Sequence, residues 1–385
     1  VGSTVPVSLT WEKSTTYDLG LDLDFLNNRL SFSGDYYRRY TTDMYTPSIS
    51  LPSVYGTTSP KGNNAELRTT GWELSLTWRD SFKLGGKPFD YSIKAMVWDN
   101  RTVVTKYENA TRSLGTLKGY IRNGGSPSDF YEGMELGEMW GYTVAGLFRD
   151  QADIDSSATH DFTQASDKVT RPGQVKIADL DHNGNIDPGA FTADDHGDLS
   201  IIGNINPHYM FGVNLAANWN GIGLSVFLQG VMKRDWYPSP DSGYFRPFMW
   251  VLGIHNYAHD MYSKEKNNWD TAYWPRMTTY QSNSSYSWTK LLEIPNTRYK
   301  QNAAYLRVKN IQVDYTFPKA LCQKIRLGGL KIYLSGENLF TFTPLHKYAP
   351  NFDPEALGYD TDFSSTAGDG YTYPVLKSVT LGVNI

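Results

Sequence analysis

The segment Asp179-Leu180-Asp181-His182-Asn183-Gly184-Asn185-Ile186-Asp187 carries the residue types and spacing best suited to chemistry. Oxygen side chains at the first, third, fifth and ninth positions surround a glycine at the sixth. This matches the first part of a calcium loop, in which alternate residues of a tight turn converge on a hard cation. Asp179, Asp181, Asn183, Asn185 and Asp187 are therefore the candidate calcium ligands. Ala190 stands where a bidentate Glu is expected, with Asp194, Asp195 and Asp198 following as substitutes. The competing reading of the same residues is an Asx-rich turn closed by side chain to backbone hydrogen bonds.

A second constellation is aromatic. Trp236, Tyr237, Tyr244, Phe245, Trp250, Trp269 and Trp274 fall in long segments without strand periodicity. Exposed ring faces there would stack on sugars, with neighbouring Asp, Asn and Arg supplying directional bonds. Packing of the loops onto one another is the alternative. His255 and His259 have helical spacing, but no Glu follows His255 as a zinc-protease site requires. No nucleophile elbow, phosphate loop or dinucleotide glycine motif occurs, so no catalytic residue and no enzyme activity is assigned. The single cysteine, Cys322, reads as a structural thiol.

The elements that position these residues are strands. Tyr17, Leu19, Leu21, Leu23 and Phe25 alternate with polar residues, and after Asn27-Asn28 the alternation continues through Leu30, Phe32, Gly34 and Tyr36. A period of two places each set on its own face of a sheet. The pattern recurs around Gly85-Gly86, where Trp72 to Trp78 leads to Phe89 to Val97, and around Asn220-Gly221, where Tyr209 to Trp219 leads to Ile222 to Leu228. Asn-Gly is a strong hairpin signal because a type I′ turn needs positive φ at both central residues. Between Tyr305 and Phe317 the parity slips, and a β-bulge near Lys309-Asn310 restores one apolar face. The chain closes on an alternating segment through Val379, Leu381, Val383 and Ile385, which suits a barrel whose last strand pairs with its first.

Apolar faces tipped by rings and aliphatic in the middle fit strands that cross a bilayer. Tight turns alternate with long connections at about 42–64, 105–206, 235–302 and 341–373, which places the short turns on a periplasmic rim and the long loops outside. The 385 residues include 11 Trp, 27 Tyr and 17 Phe, and the mean hydropathy is -0.47. No apolar run approaches the roughly 18 residues of a membrane helix, whereas strands with one wet face keep the mean hydropathy low. The formal net charge of -4, without a basic run, argues against nucleic acid as a partner.

Several stretches resemble the C-terminal portion of SusC/RagA-type TonB-dependent outer-membrane transporters of Bacteroidetes. They include Leu9-Thr10-Trp11-Glu12-Lys13, Gly71-Trp72-Glu73-Leu74, Trp140-Gly141-Tyr142, Asp179 to Asp187, Tyr305-Leu306-Arg307-Val308-Lys309-Asn310-Ile311, Gly336-Glu337-Asn338-Leu339-Phe340 and Asp353-Pro354-Glu355. The resemblance implies an all-β fold, the C-terminal part of a large antiparallel transmembrane β-barrel, 22-stranded in the family, with long extracellular loops. It implies an outer-membrane location and import of glycan oligosaccharides, or of other oligomers such as peptides. The implied partners are a SusD-like surface lipoprotein, the TonB complex and outer-membrane lipids; no cofactor is required beyond the candidate calcium. Plug domain, TonB box and early strands have no counterpart in residues 1–385, so the sheet is expected to have two open edges and an N-terminal portion elsewhere. The rival readings are a secreted all-β carbohydrate-binding or carbohydrate-degrading protein and a passive barrel.

Overall fold

The computed structural model describes residues 9–47, 61–116, 125–160, 170–238, 260–276, 294–357 and 375–385. The first four strands are β1 (Lys13–Phe25), β2 (Leu30–Pro47), β3 (Lys61–Leu84) and β4 (Lys87–Lys106). Then come the short strands β5 (Glu138–Tyr142), β6 (Val144–Leu147), β7 (Val175–Ile177) and β8 (Leu199–Asn204), with helix α1 (Gln151–Asp155) between β6 and β7. A long hairpin follows, β9 (His208–Trp219) and β10 (Ile222–Lys233), and then the short β11 (Asp235–Trp236) and β12 (Gln301–Asn302). The last long strands are β13 (Tyr305–Thr316), β14 (Lys331–Phe342) and β15 (Ser378–Asn384), with helix α2 (Lys319–Lys324) joining β13 to β14.

Nine strands form one antiparallel sheet in the order β1-β2-β3-β4-β9-β10-β13-β14-β15. The outer strands β1 and β15 do not pair with each other, which matches the two open edges expected of this stretch. Each expected tight turn is present. Asn27 and Asn28 take φ 55° and 63°, Gly85 and Gly86 take 60° and 78°, and Asn220 and Gly221 take 51° and 87°. Left-handed backbone at both central positions matches the strand twist, which is why Asn and Gly occupy them.

The register carries apolar residues across the wall in rows. One runs Leu23, Phe32, Leu76, Ala95, Val213, Leu228, Val308 and Phe340; the next runs Phe25, Leu30, Trp78, Ile93, Leu215, Val226, Ile311, Gly336 and Val379. Many of these side chains are exposed in the chain alone, including Phe25, Leu76, Ile93 and Phe340. A face this long and this apolar requires hydrocarbon as its solvent. The row between them on the other side, Asp24, Ser31, Thr77, Lys94, Asn214, Phe227, Asn310, Glu337 and Ser378, is mostly polar. The bulge lies where the parity slip predicts it: Lys309 has no partner on either neighbour, and the register shifts beside it on both strands.

Rings collect at both ends of the apolar face. At the short-turn rim Phe82 and Phe89 lie 5.0 Å apart, Tyr315 and Phe317 lie 4.8 Å apart, and the Trp78 indole N–H donates to the Tyr91 hydroxyl at 3.1 Å. At the other rim Tyr17 meets Tyr40 edge-on and Trp72 lies 6.5 Å from Tyr209. Ring bodies in the apolar zone with polar tips at the water boundary are how aromatic girdles mark two interfaces.

The long connections differ from the expected bounds. β2 reaches Pro47 and β3 starts at Lys61, so the hairpin continues beyond residue 42 and the connection is shorter than 42–64. The segments expected as loops at 105–206 and 235–302 contain β5 to β8, α1, β11 and β12, because they build a core of their own. Leu114, Met134, Met139, Trp140, Tyr142, Leu147, Ile186 and Leu199 pack in one cluster with Trp236, Tyr237, Trp274, Tyr299, Leu345 and Phe352. Cys322 is buried in α2 as a structural thiol.

Candidate functional site

The polar face of the wall and the loop cluster above it make the site. Its aromatic part is packed by the loops themselves. Trp236, Tyr237 and Trp274 are each 1% exposed. Trp274 stacks on Tyr299 at 5.3 Å and meets Tyr273 edge-on, Trp236 packs on Phe352 at 5.1 Å, and Tyr273 stacks on Tyr348 at 3.5 Å. These three rings have no free face for a sugar, which corrects the expectation for Trp236, Tyr237 and Trp274. Trp269 is partly buried against the same cluster. Tyr244, Phe245 and Trp250, like His255 and His259, lie outside the described residues.

Buried polar groups fix the cluster to the wall. Arg307, on the polar face of β13, is 2% exposed and pairs with both Asp353 and Glu355. Lys309 adds bonds to the two Glu355 oxygens at 2.6 and 2.9 Å. Arg234, next to β10, donates to the carbonyls of Pro354 and Leu357 at 3.1 and 2.8 Å. Three cations thus hold residues 353–357 against the inner side of β10 and β13. Arg307, Lys309 and Asp353-Pro354-Glu355 stand in separate stretches of the sequence, and opposite charge at an inward strand position is the signal that links them.

On the other side, His208 Nδ1 lies 2.8 Å from Asp99 Oδ1 and His208 Nε2 lies 3.6 Å from Glu135. Asn204 also donates to Glu135, at 3.1 Å, so β4, β8 and β9 meet the 125–142 segment through one polar junction. Nearby, the Glu138 carboxylate accepts from the Tyr131 hydroxyl and from the Trp140 indole at 2.8 Å. Burial raises the Glu138 carboxyl above its ordinary range.

The Asp-rich turn is ordered by its own side chains. Asp181 accepts from the Asn183 backbone and side-chain amides at 3.0 and 2.9 Å, Asn183 accepts from the Asn185 N–H at 2.7 Å, and Asp187 accepts from the Gly189 N–H at 2.7 Å. Gly184, at φ 84°, supplies the sharp bend. Carboxylate oxygens of Asp179, Asp181 and Asp198 lie within 4.8 Å of one another. Asp187 is not in that group, and Asp198, from beyond the turn, is. Of the three acids offered as substitutes, Asp194 instead pairs with Arg112. Beside this turn, His160 donates from Nδ1 to the Ala158 carbonyl at 2.8 Å and accepts the Ile177 N–H at Nε2 at 2.9 Å, which defines a neutral ring. Its burial lowers its pKa.

Residues 2–170 match the family model described as TonB dependent receptor-like, beta-barrel. Among curated proteins, the chain is 27% identical over 389 residues to TonB-dependent receptor P3 of Formosa agariphila, across 98% of this chain and 34% of that one. It is 24% identical over 393 residues to TonB-dependent receptor SusC of Bacteroides thetaiotaomicron, across 98% of this chain and 32% of that one. It therefore spans about a third of the length of the curated relatives it matches. A solved structure of the RagAB peptide transporter superposes with a TM-score of 0.67 at 22% identity, over 97% of this chain and 35% of that one. Another, of the RagAB peptide importer in the open-open state, gives 0.68 at 22% identity. At these identities the structural likeness shows the fold, and the family's named members are receptors and transporters rather than enzymes. With its lipid-suited strand face, girdled rims and long loops on one side, the chain is similar to a stretch of the outer-membrane β-barrel of TonB-dependent receptors of the SusC/RagA type.

Proposed function

We propose that this chain is wall and outer cap of an importer that passes oligomeric nutrients, glycan oligosaccharides or other oligomers such as peptides, across the outer membrane. Import runs with a SusD-like surface lipoprotein seated on the long loops and is energised through TonB. The observation that carries this reading is the pairing of an apolar outer face with a polar inner face across nine strands, topped on one rim only by a packed loop cluster. Such a wall binds and guides a polar cargo and breaks no bond in it. The same face speaks against a secreted carbohydrate-binding or carbohydrate-degrading protein, since it would drive aggregation in water. The test is uptake of fluorescent oligosaccharides and oligopeptides by cells with and without the gene, before and after collapse of the proton-motive force. Gene-dependent uptake that stops on collapse is expected. Uptake that continues after collapse would instead establish a passive barrel, and co-purification without any surface lipoprotein would remove the partner.

A further inference from the structure

We infer that Arg38, Arg68 and Arg101 form a site for the phosphate groups of a phosphorylated glycolipid headgroup in the outer leaflet of the membrane. The inference rests on the apolar face being the lipid face and the long-loop rim being the outer one. Arg38 of β2 and Arg101 of β4 flank Thr70 of β3 in one register row, and Arg68 stands two residues beyond Thr70. All three positions share the face of Leu74, Leu76 and Ile93, because no register shift separates them from the apolar rows. They come directly after the row of Tyr36 and Trp72, where a girdle of rings gives way to headgroups. Two strand spacings put Arg38 and Arg101 about 10 Å apart, so their long side chains can close on one headgroup.

The protein does not neutralise these charges itself. Arg38 and Arg101 are exposed and Arg68 is half-buried, and among the described residues none of the three pairs with a carboxylate. The nearest acids serve other cations: Glu66 lies 3.5 Å from Lys106, Asp99 lies 2.8 Å from His208, and Asp43 lies 2.9 Å from Lys13. Arg38 donates instead to the Tyr36 hydroxyl at 3.2 Å, which holds its guanidinium beside the rings. The cluster is also local. On the outward face of the same rim, β10, β13 and β14 carry Met232, Leu306, Phe340 and Phe342 in place of cations, and at the opposite rim Arg29 lies 3.6 Å from Asp80. Reaching for water accounts for a single arginine at an interface. Three on adjacent strands set like charges side by side, which is unfavourable unless an anion sits among them. Guanidinium forks meet phosphate oxygens bidentately, and basic clusters at a membrane surface recognise anionic headgroups.

The experiment uses the complete outer-membrane protein, delipidated in detergent. Native mass spectrometry compares binding of phosphorylated lipid A with binding of the same lipid after phosphatase treatment. The phosphorylated form is expected to bind about tenfold more tightly or better, and inorganic phosphate at equal concentration is expected not to displace it. The combined variant Arg38→Gln, Arg68→Gln, Arg101→Gln is expected to lose that preference, while Arg29→Gln at the other rim keeps it. Equal binding of the two lipids, displacement by inorganic phosphate, or an unaltered preference in the combined variant would each overturn the site. The comparison of the two lipids on the unaltered protein needs no substitution, so it decides the matter even where the variant does not fold. Equal binding leaves the lipid-facing wall in place, whereas a protein that stays monodisperse in plain buffer without detergent would remove the wall and the site together.

Discussion

Arginine placed at adjacent positions of β9 separates the two faces of the wall. Tyr209 and Trp219 bracket this strand, ten residues apart, which at about 3.4 Å per residue is about 34 Å along the strand. A tilt of about 45° turns that into about 24 Å of height, close to the roughly 25 Å apolar band of an outer-membrane barrel. Val213 then lies about 2 Å from the midplane, with Ala95 and Leu228 as its cross-strand neighbours. Val213→Arg is expected to cost about 2–4 kcal/mol, a shift of about 30- to 700-fold in the folded ratio. Asn214→Arg, on the polar face opposite Lys94, is expected to cost a few tenths of a kcal/mol from like charge. Ile222→Arg, at the short-turn rim, falls at about 0–1 kcal/mol. The assay is denaturant unfolding of the outer-membrane protein from lipid vesicles, followed by tryptophan fluorescence and by resistance of the folded band to detergent without boiling. Equal costs at 213 and 214, or a larger cost at 214, would refute the assignment of the faces.

Other outcomes follow from the loop cluster. Trp274→Ala empties the stack on Tyr299 and is expected to cost about 3–5 kcal/mol locally, read as faster protease cleavage in 260–276 and 294–303 while the wall keeps its resistance. Arg307→Met takes from Asp353 its ion-pair partner and leaves Glu355 with Lys309, and is expected to cost about 3 kcal/mol, seen as cleavage between 343 and 357; adding Asp353→Asn should recover part of it. Acid should loosen the turn beside His160. Burial holds its folded pKa below the unfolded value, so its contribution is present above about pH 6.5 and is lost as pH falls toward the lower folded value. Protection of the Ile177 N–H, corrected for intrinsic exchange, should therefore drop between about pH 7 and 5, and His160→Gln should flatten that dependence.

Much of the wall was legible because its determinants are local. Positive φ at Asn27-Asn28, Gly85-Gly86 and Asn220-Gly221 is written in the residues themselves, and the parity slip at Lys309 needs only a count of alternation. The loop cluster was not legible for the opposite reason. Whether Trp274 faces solvent is settled by Tyr299, 25 residues later, and the partners of Arg307 stand 46 and 48 residues away. The calcium-like spacing singles out the turn from Asp179 to Asp187 but not Asp198, whose carboxylate lies beside those of Asp179 and Asp181. Asp198 enters through a chain reversal that brings it onto the Asp187 N–H, and spacing within nine residues carries no trace of that return.

The juxtaposition of β4 and β9 bears on the order in which the wall assembles. The two strands are neighbours in the sheet, yet about a hundred residues separate Lys106 from His208. Joining ends across that span costs about 3.5 kcal/mol more in chain entropy than closing a two-residue turn. The meander from β1 to β4 and the hairpin of β9 and β10 can each zip from their own tight turns, whereas the seam between them waits for the intervening chain to be delivered to the far side of the bilayer. Slow steps in biogenesis should thus concentrate at this seam, and a shortened 107–207 excursion would speed insertion even where it abolishes the cap.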